Sequence, residues 1–110
     1  MDKINCEIKY ADCGLRAIIS GEIDHHTAKP IREKIDSAIY LYRPGVLTID
    51  LCSVGFMDSA GLGLILGRYA KIRDLGGKLY VSDPSPEVEK ILRLAGTDKL
   101  VTIMRSEVAK

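Results

Sequence analysis

Ser59 lies just after Asp58 and just before Ala60-Gly61-Leu62-Gly63, at a point where helical periodicity begins. Asp and Ser are both strong N-cap types, but a helix start has only one N-cap position, so one of the two is spare. If Asp58 caps, the Ser59 hydroxyl sits near solvent in the first turn. A phosphate added there meets free backbone N-H groups and the positive end of the helix dipole. If Ser59 caps, it is an ordinary structural serine.

The glycines that follow sharpen the question. Gly61, Gly63 and Gly67 each cost up to about 1 kcal/mol relative to Ala inside a helix, so their presence implies that bulk is being kept off a surface. Ala60, Gly63, Gly67 and Ala70 form a stripe of small residues at i, i+3, i+7 and i+10. Two explanations remain open: the helix packs tightly on its own sheet, or the backbone of a partner docks along the stripe. A second polar cluster, Gly21-Glu22-Ile23-Asp24-His25-His26, ends a strand and offers an acid and two imidazoles, residues that by type are also common in turns.

The elements that must hold these residues follow from patterning. Alternation at Ile4, Cys6, Ile8 and Tyr10, then at Leu15, Ala17 and Ile19, with Asp12-Cys13-Gly14 between, predicts an opening hairpin. Apolar positions Ile31, Ile35, Ala38, Ile39 and Tyr42 keep helical spacing, and Arg43-Pro44-Gly45 ends that helix. Thr27 as N-cap puts Pro30 in the first turn, where its missing N-H costs little. Val46 to Leu51 is a nearly continuous apolar run, which predicts a central strand covered on both faces. The helix after Asp58 is expected to turn Leu62, Ile65, Leu66, Tyr69 and Ile72 inward and to end at Gly76-Gly77. Lys78 to Val81 supplies another strand, and Ser85 caps a third helix with Pro86 first, Val88, Ile91, Leu92 and Ala95 inward, and Gly96 as its stop. Leu100 to Ile103 closes the sheet, and Arg105 to Lys110 carries no assignable element. The expected fold is α/β, a single domain over residues 1–110: a mixed β-sheet opened by the hairpin, later strands parallel through right-handed crossovers, with helices packed against it.

Composition narrows the function classes. The 110 residues, 46% hydrophobic and 28% charged, suit one globular core. Sixteen Lys and Arg against fifteen Asp and Glu leave a formal charge of +1 and no basic stripe, which argues against nucleic acid. No signal-peptide run or membrane-length apolar segment occurs, so a cytoplasmic protein without membrane insertion is expected. Cys6, Cys13 and Cys52 lack disulfide or zinc spacing, so reduced thiols and no metal site are expected, with Cys6 buried.

Taken together, Gly21-Glu22-Ile23-Asp24-His25-His26-Thr27-Ala28, Phe56-Met57-Asp58-Ser59-Ala60-Gly61-Leu62-Gly63 and Ile65-Leu66-Gly67-Arg68-Tyr69 resemble the STAS family of anti-sigma factor antagonists. The M-D-S-x-G-L-G segment is specific to phosphorylatable members; D-H-H and L-G-R-Y lean toward the sporulation branch over the general-stress branch. The resemblance implies a non-enzymatic binding switch. The unphosphorylated form binds an anti-sigma factor that is also a serine kinase and so frees a sigma factor. The kinase phosphorylates the serine matching Ser59, and a PP2C-type phosphatase reverses it. ATP and ADP belong to the kinase, and no cofactor of the chain's own is implied. Partner contacts carried over are Asp24, which meets a basic residue of the kinase, and His25, Asp58, Ser59, Ala60, Gly61, Leu62 and Gly63. A free monomer is expected. Pro30 departs from the family pattern and bears on how Asp24 and His25 are presented.

Two readings from other classes are weaker. A hydrolase triad of Asp24, His25 or His26, and Ser59 has the residue types but lacks the G-x-S-x-G elbow. A nucleotide site lacks both G-x-x-x-x-G-K-[ST] and G-x-G-x-x-G after a strand. An antagonist in a general-stress pathway is the nearest rival within the favoured class.

Overall fold

A computed structural model describes residues 5–12 and 14–106. The expected positions Ile4 and Cys13 and the last four residues of the chain lie outside that set. Strands β1 (Asn5–Ala11) and β2 (Gly14–Ile23) pair antiparallel from Asn5↔Ser20 to Ala11↔Gly14, closed by a turn in which Asp12 takes φ 54°. Helix α1 (Ala28–Tyr42) leads to β3 (Val46–Met57), α2 (Ser59–Asp74) to β4 (Lys78–Ser82), and α3 (Pro86–Leu94) with a 3-10 turn (Thr97–Lys99) to β5 (Thr102–Met104). The sheet has five strands in the order β1-β2-β3-β4-β5, parallel after the hairpin. This is the mixed, helix-covered sheet the patterning predicts.

Register decides which side chains are inside. Leu15, Leu47 and Leu79 form one cross-strand row, and Ala17, Ile49, Val81 and Ile103 the next. These join the buried faces of all three helices in one core. The neighbouring rows, Arg16-Thr48-Tyr80-Thr102 and Ile18-Asp50-Ser82-Met104, face the other way. The expectation that β3 is covered on both faces is therefore corrected. Thr48 and Asp50 interrupt its apolar run with the period-2 signature of a one-sided strand. Asp50 is only 8% exposed because Arg16 lies over it: Arg16 Nη2 donates to Asp50 Oδ2 at 2.9 Å and to Ser82 Oγ at 3.2 Å, linking three strands. β3 also runs six residues past Leu51, since β2 follows it to Ile23↔Met57 through two register shifts.

Helix starts match their local signals better than helix faces do. Thr27 takes the N-cap position of α1 with Pro30 in the first turn, and Ile31, Ile35, Ala38 and Ile39 are buried. Tyr42 instead stacks on Tyr10 at the rim, centroids 4.4 Å apart. Arg43 ends α1 at φ 45°, its N-H reaching Ile39 O at 2.8 Å. Ser85 caps α3 by accepting from Val88 N-H at 3.2 Å, and Pro86 follows. In α2 the buried side is Gly61, Leu64, Ile65, Arg68 and Ile72, so Leu62, Leu66 and Tyr69 are flanking rather than inward. The cause is the near-uniform apolar character of Leu62 to Leu66, which gives periodicity little to discriminate. Ala95 is exposed, not inward, because α3 ends at Leu94; Gly96 (φ 76°) then opens the 3-10 turn, which delays β5 to Thr102. Cys6 is buried as expected, and that burial pushes its thiol pKa up against the opposing pull of Lys34. Among the described residues no helix is long and apolar enough to cross a membrane.

Candidate functional site: the α2 entrance and the α1-α2 groove

The question of which residue caps α2 is settled by geometry. Asp58 is extended (φ −103°, ψ −164°), and its N-H donates to Ile23 O at 3.1 Å, pinning the end of β3 to β2. Its Oδ1 accepts the Ala60 N-H at 2.8 Å, and its carbonyl accepts the Gly61 N-H at 2.9 Å. Asp58 is the cap. Ser59 is the first residue of α2, exposed, and among the described residues its hydroxyl makes no hydrogen bond. It is an unencumbered alcohol at the positive end of a 16-residue helix, able to carry a phosphate without breaking any internal contact.

The glycines behind it divide into two kinds. A Cβ on Gly61 would lie 2.0 Å from Met57 Cγ and 2.6 Å from its sulfur, so Gly61 is a packing glycine against a buried methionine. It was expected on the docking surface, but the structure turns it inward. Gly63 and Gly67 meet nothing within 4 Å of such a Cβ, so tight packing on the sheet does not account for them. We expect Gly61→Ala to lose about 1–3 kcal/mol through overpacking and Gly63→Ala to gain up to about 1 kcal/mol from helix propensity. Urea denaturation of both variants checks this; shifts of the same sign would refute the division.

Ala60 and Gly63 line a groove of about 350 Å³ between α1 and α2, together with His25, Ala28, Lys29, Arg32 and Leu64. The loop at its mouth is rigidly built. Asp24 Oδ1 accepts the N-H groups of His26 (2.8 Å) and Thr27 (3.0 Å), while Thr27 Oγ1 accepts the Asp24 N-H at 2.9 Å and donates to Glu22 O at 2.9 Å. The Thr27 and His26 amides hold the Asp24 carboxyl below the ordinary carboxylate range, so it stays ionised. Its Oδ2 makes no hydrogen bond among the described residues, and His26 Nδ1 lies 3.9 Å from Oδ1. Pro30 leaves this loop intact. The rings of His25 and His26 lie against each other at a tilt of 39°, centroids 4.0 Å apart, and among the described residues neither bonds to the Ser59 hydroxyl, so the three triad residue types are not joined into a nucleophilic relay. Leu62 is half-buried against the core, with part of its surface left at the α2 entrance.

Four residues near the site carry no role in the sequence reading, although Phe56 and Arg68 stand within the segments that carry the resemblance. Phe56, 49% exposed and paired with Glu22, is an aromatic side chain on the last turn of strand before Asp58; counting the register shifts finds it, simple alternation does not. Lys29 and Arg32 line the groove because α1 places them at i and i+3 on the side facing α2. Arg68, 4% exposed, lies beneath the open stripe with its Nε 2.8 Å from Asp36 Oδ1 on α1. The approach is off the line of an N-H···O bond, so the two form an ion pair while Arg68 Nη1 stays without a hydrogen-bond partner.

A five-stranded mixed sheet with this helix arrangement is the fold of the STAS domain, and the chain belongs to the STAS domain family, which matches it over residues 14–109. It is 41% identical over 90 residues to the anti-sigma F factor antagonist of Paenibacillus polymyxa, covering 82% of this chain and 77% of that one. It is 31% identical over 106 residues to the anti-sigma-B factor antagonist of Listeria monocytogenes, covering 94% and 91%. Among solved structures it superposes on the anti-sigma factor antagonist SpoIIAA in its unphosphorylated form with a TM-score of 0.82 at 28% identity (94% of this chain, 89% of that one). For the Bacillus cell fate determinant SpoIIAA in its phosphorylated form the TM-score is 0.75 at 27% identity, covering 94% and 92%.

Proposed function

We propose that this STAS domain is an anti-sigma factor antagonist switched by phosphorylation of Ser59. The unphosphorylated protein binds a cytoplasmic anti-sigma factor with serine-kinase activity and releases a sigma factor. The kinase, which brings its own ATP, then modifies Ser59, and a PP2C-type phosphatase restores the binding form. The observation that carries this reading is the free Ser59 hydroxyl beside an Asp58 cap, at the edge of a groove whose floor is Ala60 and Gly63. Close approach over that floor leaves no room for three phosphate oxygens, and nearly two negative charges add a desolvation cost. Asp24, His25, Asp58, Leu62 and Phe56 complete the docking face in this reading.

Incubation with the cognate kinase and ATP is expected to add one phosphate per chain, located at Ser59 by fragmentation mass spectrometry. A phosphate mapped to any other residue defeats the assignment. The higher identity to the Paenibacillus anti-sigma F antagonist, 41% against 31% for the Listeria anti-sigma-B antagonist, favours release of a sigma factor of the sporulation branch, with a general-stress sigma factor as the alternative. Identifying the sigma factor freed from the kinase complex separates the two.

A further inference from the structure

The groove has a charge pattern that a purely steric switch does not use. Its floor is small and apolar, Ala28, Ala60, Gly63 and Leu64, while its polar wall is His25, Lys29 and Arg32, with no acidic side chain in the lining among the described residues. Neither cation forms an ion pair among the described residues. One turn further along the helices stand Asp36 and Arg68, and Asp36, the one carboxylate there among the described residues, is already committed to the buried guanidinium. Arg68 Nη1 is itself buried without a partner, and Arg32 is close enough to disfavour the Arg68 charge further. Positive charge is therefore in excess along the α1-α2 seam. At the mouth of the same seam the sign reverses, where the ionised Asp24 carboxylate keeps one oxygen free.

We infer that the α1-α2 groove receives an acidic side chain of the protein partner, held between Lys29 and Arg32. The inference rests on the antagonist reading and narrows it to the chemistry of the docking segment: a carboxylate that enters the groove beside a cation that meets Asp24. Three residues of helix separate Lys29 from Arg32 by about 4.5 Å along the axis, a span one carboxylate can bridge. Such opposed signs set orientation and speed encounter more than they add raw affinity. They also give the phosphate on Ser59 a second mode of action, since a dianion at the groove edge repels the partner's acid as well as obstructing it.

The test compares binding of unphosphorylated wild type, Lys29→Glu, Arg32→Glu and Lys90→Glu to the cognate anti-sigma kinase at low and high salt. Lys90 is exposed on α3, away from the groove, and reproduces the change in net charge. The groove variants are expected to bind roughly tenfold more weakly at low salt, mainly through a slower association rate, and to lose most of the wild-type salt dependence. Lys90→Glu is expected to stay within about twofold. Arg32 is exposed, so unchanged circular dichroism will show that folding is not at issue. Equal affinities for Arg32→Glu and Lys90→Glu overturn the inference while leaving the Ser59 switch standing. A wild-type protein that fails to bind the kinase at all overturns the switch and the inference together.

Discussion

Ser59→Asp is expected to fold at least as stably as the wild type and to bind the anti-sigma kinase about 100-fold more weakly, a loss of roughly 2.7 kcal/mol. The two halves of this result have separate causes. Because Asp58 already caps α2, replacing Ser59 removes no internal hydrogen bond, and a carboxylate in the first turn of a helix gains about 0.3–1 kcal/mol from the dipole. In the complex the same carboxylate has to be desolvated against Ala60 and Gly63, and no neighbouring cation is free once an acid of the partner holds Lys29 and Arg32. Ser59→Ala is expected to bind as tightly as the wild type and to persist in the complex when ATP is supplied. Calorimetric titration against the kinase, beside urea denaturation of the free variants, checks both halves. A Ser59→Asp protein that binds like the wild type removes the basis of the switch; one that unfolds shows that Ser59 is structural after all.

Asp36→Ala is expected to cost about 2 kcal/mol of folding stability. It removes the acid that pairs with Arg68 and leaves a guanidinium that is 4% exposed and further disfavoured by the charge of Arg32. A fully buried pair broken in this way costs about 3–5 kcal/mol, and the smaller figure reflects an Asp36 side chain that is 30% exposed and partly screened. The paired replacement Asp36→Leu with Arg68→Met is expected to recover most of the loss, since two apolar side chains of similar volume carry no desolvation penalty. Urea denaturation of the two single variants and the double variant measures the coupling. A loss below about 0.5 kcal/mol for Asp36→Ala means that solvent reaches Arg68 without the acid. A double variant no better than the singles means that the ion pair is not the source of the cost.

The groove also explains why the site is only partly readable along the chain. The Asp58-Ser59 pair, the caps at Ser85 and Asp58, the hairpin turn at Asp12 and the stop at Arg43 all depend on interactions within a few residues, and each lies where local chemistry predicts; Thr27 holds the N-cap position of α1 without a side-chain capping bond, and the Asp24 carboxylate accepts the amides there instead. The face assignment of α2 does not follow from local chemistry. Leu62, Leu64, Ile65 and Leu66 are equivalent as apolar residues, and what chooses among them is the position of β3 and β4 beneath the helix.

Residue type and spacing were enough to single out Ser59 as a spare hydroxyl at a helix entrance, to order the strands and helices along the chain, and to show that small residues line part of α2, because caps, turns and periodicity are short-range properties of the backbone; the part given to Asp24 came from the family resemblance. Separating Gly61 from Gly63, burying Arg68 against Asp36, exposing Phe56 and gathering Lys29, Arg32 and Gly63 around one groove took the folded chain. These pairings join residues from different elements, and their energies come from desolvation and contact across the α1-α2 and β2-β3 seams, which exist only once the sheet has set its register.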